Sequence, residues 1–246
     1  MAQATSHTNG QLNGTTPKIT LYTNHGCPWA HRAHITLKEL GLAYEEVIID
    51  LDTPRPAWYL EINPRGLVPS IKYGDEILTE SGIVSQFLAD SYPSHLLPPS
   101  NASNGALTRA RIGFFVDTFF TKVNGKIFEG LRAADDSGKA AASAEVFGAI
   151  KKEIEPLLEN AGPYFNGAAK MTLAEALTGP FVLRLHAYAR AGLLAETLEG
   201  ELKGLPNYSA WAGNLVKQES VTCIWDEEGT MKRTKVRIEK MRAAAK

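Results

Sequence analysis

The stretch Ile19-Thr20-Leu21-Tyr22-Thr23-Asn24-His25-Gly26-Cys27-Pro28-Trp29-Ala30-His31-Arg32 decides how the first third of this chain folds. Ile19 to Tyr22 is a short apolar run with the composition of a strand. Further on, Ala30, Ala33, Leu37 and Leu40 recur three and four apart, the period of a helix with one apolar face. Gly41 stands where a helix C′ residue is expected, and Pro28 suits the first helical position, where its missing N–H costs nothing. Cys27 therefore falls on a strand-to-helix turn, at the N-terminal end of the helix. Unpaired N–H groups and the positive end of the helix dipole favour an anion there, so the thiol is expected to ionise readily. A cysteine that is merely a small core residue fits the flanking proline and the turn less well.

A Cys-x-x-Cys pair is missing. Ala30 occupies the place of a resolving thiol, and the second cysteine of the sequence, Cys223, lies far along the chain. A single thiol cannot close a local disulfide, so completing an exchange needs a small external thiol, and glutathione is the obvious candidate. His25, Cys27, His31 and His34 form a dense group, but their spacing matches no common zinc pattern and no metal is expected. The histidines read as surface or packing residues, with His25 beside the thiolate.

The chain has 246 residues, 44% of them hydrophobic and 22% charged, with a formal net charge of −1. That is the composition of a soluble protein of one large or two small domains, and the charge argues against nucleic acid as a partner. Two cysteines in such unlike contexts suggest no disulfide framework, which fits a reducing, cytoplasmic compartment. No apolar run approaches the length of a membrane span, so no membrane partner is expected. Residues 1–16 contain no Asp, Glu, Lys or Arg. They lack the basic end and apolar core of a signal peptide and read as a disordered tail.

Residues 17–92 alternate between strand and helix patterns. Tyr44–Ile49 follows the first helix as a strand, and Pro56–Ile62 is a short helical turn anchored by Trp58. Val68–Lys72 and Glu76–Leu78 form a hairpin across Tyr73-Gly74-Asp75. A helix follows with Ile83, Val84, Phe87 and Leu88 on one face. The order βαβαββα predicts a four-stranded, thioredoxin-like α/β domain. Residues 93–104, rich in Pro, Ser and Asn, read as a linker. Beyond them, over 105–246, only helical periodicity remains, which predicts an all-α second domain. Leu107, Ala110, Phe114, Phe115 and Phe119 are expected to share one face, and Pro156 to kink the helix marked by Val146, Ile150, Leu157 and Leu158. Tyr208, Trp211 and Leu215 mark a later helix. Thr172 and Glu175 have capping-box spacing, a folding device. The basic C-terminal run from Lys232 to Lys246 reads as a solvated helix.

Two further segments carry binding chemistry. Pro69 removes a ladder donor at a strand start. A cis Val68–Pro69 bond would leave the Val68 backbone groups free to grip a peptide ligand as an added strand, while a trans proline would simply mark an edge strand. Glu80-Ser81 precedes a helix whose N-terminal N–H groups, with Ser81 Oγ, would take a carboxylate, while Glu80 accepts from an ammonium; plain capping by Ser81 is the other reading.

Together, Cys27-Pro28-Trp29-Ala30, Asn63-Pro64-Arg65-Gly66-Leu67-Val68-Pro69, Thr79-Glu80-Ser81-Gly82-Ile83 and the capping box at Thr172 resemble the cytosolic glutathione transferases, most closely the omega class and its fungal relatives. The resemblance runs from about Ile19 to about Trp225. It implies that Val68-Pro69 is a cis-proline element and that Val68 pairs with the glutathione backbone. It implies that Glu80 and Ser81 hold the γ-glutamyl end and that Trp29 and Arg55 are further glutathione contacts. Omega enzymes usually have Phe at the position of Trp29. The run Cys27–Arg32 also resembles the glutathionyl-hydroquinone reductases, which are longer and differ around Val-Pro.

The expected protein is a glutathione transferase with Cys27 as nucleophile, passing through a mixed disulfide with glutathione. Its second substrate is a small electrophile or disulfide bound between the domains, with His25, Phe115, Phe119 and Trp225 as candidate walls. The resemblance implies a homodimer. Two rival readings are conjugation, reduction or isomerisation of a quinone-like or polyketide metabolite, and a non-catalytic ligand-binding protein on the same fold.

Overall fold

The computed structural model describes residues 4–7 and 17–244. Its sheet is built from β1 (Ala4–His7), β2 (Ile19–Thr23), β3 (Tyr44–Ile48), β4 (Ser70–Tyr73) and β5 (Glu76–Thr79), in the spatial order β1-β3-β2-β4-β5. β2 and β3 pair in parallel, as a βαβ crossover requires, and the other pairs are antiparallel. The expected four strands are thus all present, with a fifth added. β1 lies inside the segment read as a disordered tail and pairs with β3 from Ala4↔Val47 to His7↔Tyr44. Covering an open strand edge in this way satisfies backbone groups that an uncharged, polar sequence gives no warning of. The rest of that segment lies outside the described residues.

The crossover helix α1 (Pro28–Glu39) starts with Pro28 in its first turn and Cys27 as its extended N-cap, and it stops at Gly41, whose φ is +63°. α1 is less amphipathic than the spacing suggested. Ala30, Ala33 and Leu37 are buried, and so are His31, Arg32, His34 and Thr36. One side packs with α3 (Ser81–Ser91) around Ile19, Leu21, Ile71, Val84 and Leu88. The other side meets α7 (Leu173–Arg190) of the second domain. A short α2 (Ala57–Ile62) contributes Tyr59 to a smaller cluster with Tyr22, Ala30, Ile49 and Val68.

Residues 93–104 join the domains but are not a free spacer. Leu96 and Leu97 are buried in the helical core, and the Leu96 carbonyl accepts from Leu173 N–H at 2.7 Å. α4 (Gly105–Thr118) passes through a π-helical segment, Phe119–Asn124, into α5 (Gly125–Arg132). α6 (Asp136–Ala149) likewise runs through a π segment, Ile150–Ile154, into a 3-10 turn at Glu155–Leu158. The break expected at Pro156 takes this form, because a ring without an N–H cannot continue the α-helical ladder. α8 (Thr197–Lys203), α9 (Pro206–Leu215), α10 (Glu219–Thr222) and α11 (Glu227–Ala244) complete the domain.

Two helix faces differ from expectation. Along α4 and into the π-helical segment the buried stripe is Ile112, Phe115 and Phe119, while Leu107 and Phe114 are exposed. In a run of apolar residues the 3.6-residue period admits two seatings, and packing selects one. α11 is not merely solvated: Met231 and Ile238 anchor it, and it packs along α5 and α7. Among the described residues no helix is long and apolar enough to cross a membrane.

Candidate functional site

Cys27 sits where β2 hands over to α1. Its N–H bonds the Asn24 carbonyl at 3.0 Å, and its own carbonyl accepts from His31 N–H at 3.1 Å, the first rung of the helix. The side chain is half-buried and its Sγ lies 3.9 Å from the Val68 carbonyl oxygen. Val68–Pro69 is a cis peptide. The loop before it is locked by Asn63 Nδ2, which donates to the Leu67 carbonyl at 2.9 Å, and by Tyr59 OH, which donates to the same oxygen at 2.5 Å.

A cavity of about 330 Å³ opens in front of this pair. Its walls include Cys27, Trp29, Arg55, Val68, Pro69, Glu80 and Ser81, residues drawn from four separate places in the sequence. Ser81 is the first residue of α3 and is buried, and its Oγ accepts from Arg32 at 3.1 Å. Glu80, before it, is exposed and bonds Arg65 at 2.5 Å. Its backbone lies at φ 68° and ψ 113°, a left-handed conformation that costs an L-residue on the order of 1–3 kcal/mol. Arg55 lines the cavity, but its guanidinium donates to the carbonyls of Gly66, Asp50 and Thr53 at 3.0, 2.7 and 2.6 Å. It braces the loop that shapes the wall.

On the other side of Cys27 a second opening of about 240 Å³ is bounded by Pro28, Trp29, Leu51, Phe128 of α5 and Arg233 and Arg237 of α11. The expected acceptor walls do not lie here. Phe115 and Phe119 are sealed in the helical core, Phe115 packing on Phe165 and Trp211. Trp225 is partly buried and carries the Arg184 guanidinium 4.8 Å above its ring. His25 is turned to the sheet, where its Nε2 and Glu46 Oε1 are 2.5 Å apart. His25, His34 and Glu46 bring their ligand atoms within 4.8 Å of one another. In this structure the group is joined by the His25–Glu46 hydrogen bond.

Two buried guanidinia flank the thiol, and the sequence reading assigned neither a role. Arg32, one turn into α1, lies 4.5, 4.2 and 5.2 Å from the rings of Trp29, Phe120 and Phe181, and its Nε donates to the Leu177 carbonyl at 2.8 Å. Arg184 of α7 donates to His31 Nδ1 at 3.2 Å and to the Pro180 carbonyl at 3.0 Å. Burial pushes Arg32 down to about 9 and Arg184 down to about 10, which leaves both cationic at neutral pH. Among the described residues neither is paired with a carboxylate within 4 Å, and an ionised Cys27 favours the charged form of each. Burial, followed by the Arg184 charge, holds His31 well below the usual histidine range, so it stays neutral. Arg32 follows Cys27 closely enough for the helix period to place it near the site. Arg184, on a different domain, carries no local signal at all.

Comparison with known proteins gives a consistent picture. A family model described as the N-terminal domain of glutathione S-transferase matches residues 21–99. The chain is 30% identical over 183 residues to glutathione S-transferase omega-1 of Mus musculus, covering 73% of this chain and 72% of that relative. Among solved structures it is similar to glutathione transferase Omega 1C from Trametes versicolor, with a TM-score of 0.77 and 26% identity, covering 91% of this chain and 97% of that one. It is also similar to Omega 2S from the same fungus in complex with 2,4-dihydroxybenzophenone, with a TM-score of 0.73 and 28% identity over 90% and 99% of the two chains.

Proposed function

This chain belongs to the glutathione transferase family, with omega-class relatives, and on that premise we propose that Cys27 is the nucleophile of a glutathione-dependent thiol transferase. The observation that carries this reading is the position of Cys27 Sγ, at the start of α1 and 3.9 Å from the Val68 carbonyl, in one cavity with Glu80 and Ser81. Glutathione has the matching parts. Its γ-glutamyl ammonium and carboxylate meet Glu80 and the N-terminus of α3 with Ser81, its peptide runs along Val68, and its sulfur reaches Cys27.

The chemistry follows from the site. The Cys27 thiolate attacks the glutathionyl sulfur of a mixed disulfide, forming a Cys27–glutathione disulfide and releasing the other thiol as its thiolate. A second glutathione thiolate attacks the glutathionyl sulfur of that bond, which releases oxidised glutathione and restores Cys27. Arg32 and Arg184 hold buried positive charge near the reacting sulfurs, and Trp29 and Arg55 shape the cavity. The second opening, beside Phe128 and α11, is the acceptor side. A Trametes relative is solved in complex with 2,4-dihydroxybenzophenone, which supports an aromatic second ligand.

Mass spectrometry after incubation with oxidised glutathione tests the reading. One glutathione is expected on Cys27 in the native chain and none in Cys27→Ser, which should lose disulfide reduction almost entirely while still binding glutathione. Full disulfide activity in the serine variant would refute it.

A further inference from the structure

The acceptor side of the thiol has an uneven charge. Its apolar walls are Pro28, Trp29, Leu51 and Phe128, and its polar side is α11, which presents Arg233 and Arg237 into the same opening. A side-chain carbon built on Gly26 would lie 3.5 Å from Arg233 Nε, so this guanidinium rests on the backbone next to Cys27. The facing anions are two. Asp52 lies 3.4 Å from Arg237 and Asp226 lies 3.6 Å from Arg233, with both arginines and both aspartates at least half exposed. Contacts of that length between exposed groups are worth little, about 0–1 kcal/mol, and yield to a better-placed anion. Behind the thiol, Arg184 adds a buried cation with no carboxylate partner among the described residues, and Arg32 adds another. Arg233, Arg237 and the buried Arg184 thus outnumber the two aspartates on this side of Cys27, while Arg32 bonds Ser81 and Glu80 bonds Arg65 at the first cavity.

We propose that the acceptor pocket selects aromatic or apolar molecules bearing a carboxylate, with Arg233 and Arg237 of α11 as the residues that set this preference. The apolar body fills the space between Trp29 and Phe128, and the anionic group reaches the two guanidinia, whose forked donors suit a carboxylate. This deepens the proposed function by naming the class of its second substrate, and it rests on that reading for where glutathione lies.

The test compares three conjugates by calorimetry at low salt: S-benzylglutathione, S-(4-carbamoylbenzyl)glutathione and S-(4-carboxybenzyl)glutathione. The last two have nearly the same shape and differ in charge. The carboxylate should bind about fivefold or more tighter than the amide, as expected for one exposed ion pair at its upper range. The ratio should shrink as salt is raised and fall to about one in an Arg233→Gln/Arg237→Gln double variant. A ratio at or below one in the native chain, or a ratio kept in the double variant, overturns the proposal while S-benzylglutathione still binds. Failure of S-benzylglutathione to bind overturns the glutathione site and this proposal with it.

Discussion

Glu80 holds an L-residue in backbone space that suits glycine, at φ 68° and ψ 113°. Its carboxylate reaches only an exposed partner, Arg65, and an exposed pair returns little stability. The strain is explained if the position serves the ligand instead of the fold. Glu80→Gly should therefore leave the protein as stable as before or more stable by up to about 1 kcal/mol, the relief of strain offset by a more flexible unfolded chain. It should weaken glutathione binding by about tenfold, the loss of one charge-assisted contact. Thermal unfolding and calorimetry measure the two effects separately, and a clear loss of stability with unchanged affinity would assign Glu80 to folding. The sequence showed Glu80 and Ser81 as a pair of candidates, but not the backbone conformation, which depends on how β5 is joined to α3.

At the scale of elements, α7 carries the most. Its capping box is complete: Thr172 Oγ1 accepts from Ala174 N–H at 3.1 Å, and Glu175 Oε2 accepts from Thr172 N–H at 2.8 Å. Glu175 does more than cap. Fully buried, it also accepts from Phe165 N–H and from Trp211 Nε1, both at 2.7 Å, and so ties three segments of the helical domain together. Thr172→Ala should cost about 1–2 kcal/mol, read as a lower urea midpoint with an unchanged slope. An unchanged midpoint would mean that Glu175 alone sets the helix start. The box was legible because it is local, four residues long. The reach to Phe165 and Trp211 was not, since those partners are brought in by packing. The same α7 supplies Arg184, so the element that ties the helical domain together also places a cation near the thiol.

At the scale of the molecule, the two domains meet along α1 and α7, with α3 and α10 beside them. This explains part of the polar face of α1: His31 meets Arg184 and Arg32 meets the Leu177 carbonyl across the interface, while His34 is covered by Thr23 and Tyr44 of the first domain's own sheet. Large apolar side chains are left exposed on other faces, among them Leu67 before β4, Ile83 on α3 and Phe114 on α4. A homodimer is the expected way to cover them. Light scattering should give twice the 26.8 kDa chain mass at micromolar concentration, and an Ile83→Glu/Phe114→Glu variant should give one chain mass. A monomeric native chain would refute this expectation.

The sequence by itself determined the thioredoxin-like order, the all-helical second half, the break at Pro156 and the position of Cys27 at a helix start. Each of these depends on residues within a turn or two of one another, where period, proline and glycine act directly. It also pointed to Cys27, Val68, Pro69, Glu80 and Ser81, which share one cavity, and the family resemblance added Trp29 and Arg55 in the same wall. Tertiary structure alone decided the rest. β1 needs the open edge of β3. Phe115 and Phe119 go to the core because Ile112 continues their stripe. Arg184 and Arg233 reach the thiol only because α7 and α11 fold back across the first domain. Charges interact through space, and the dielectric that makes them strong exists only once the chain has excluded water around them.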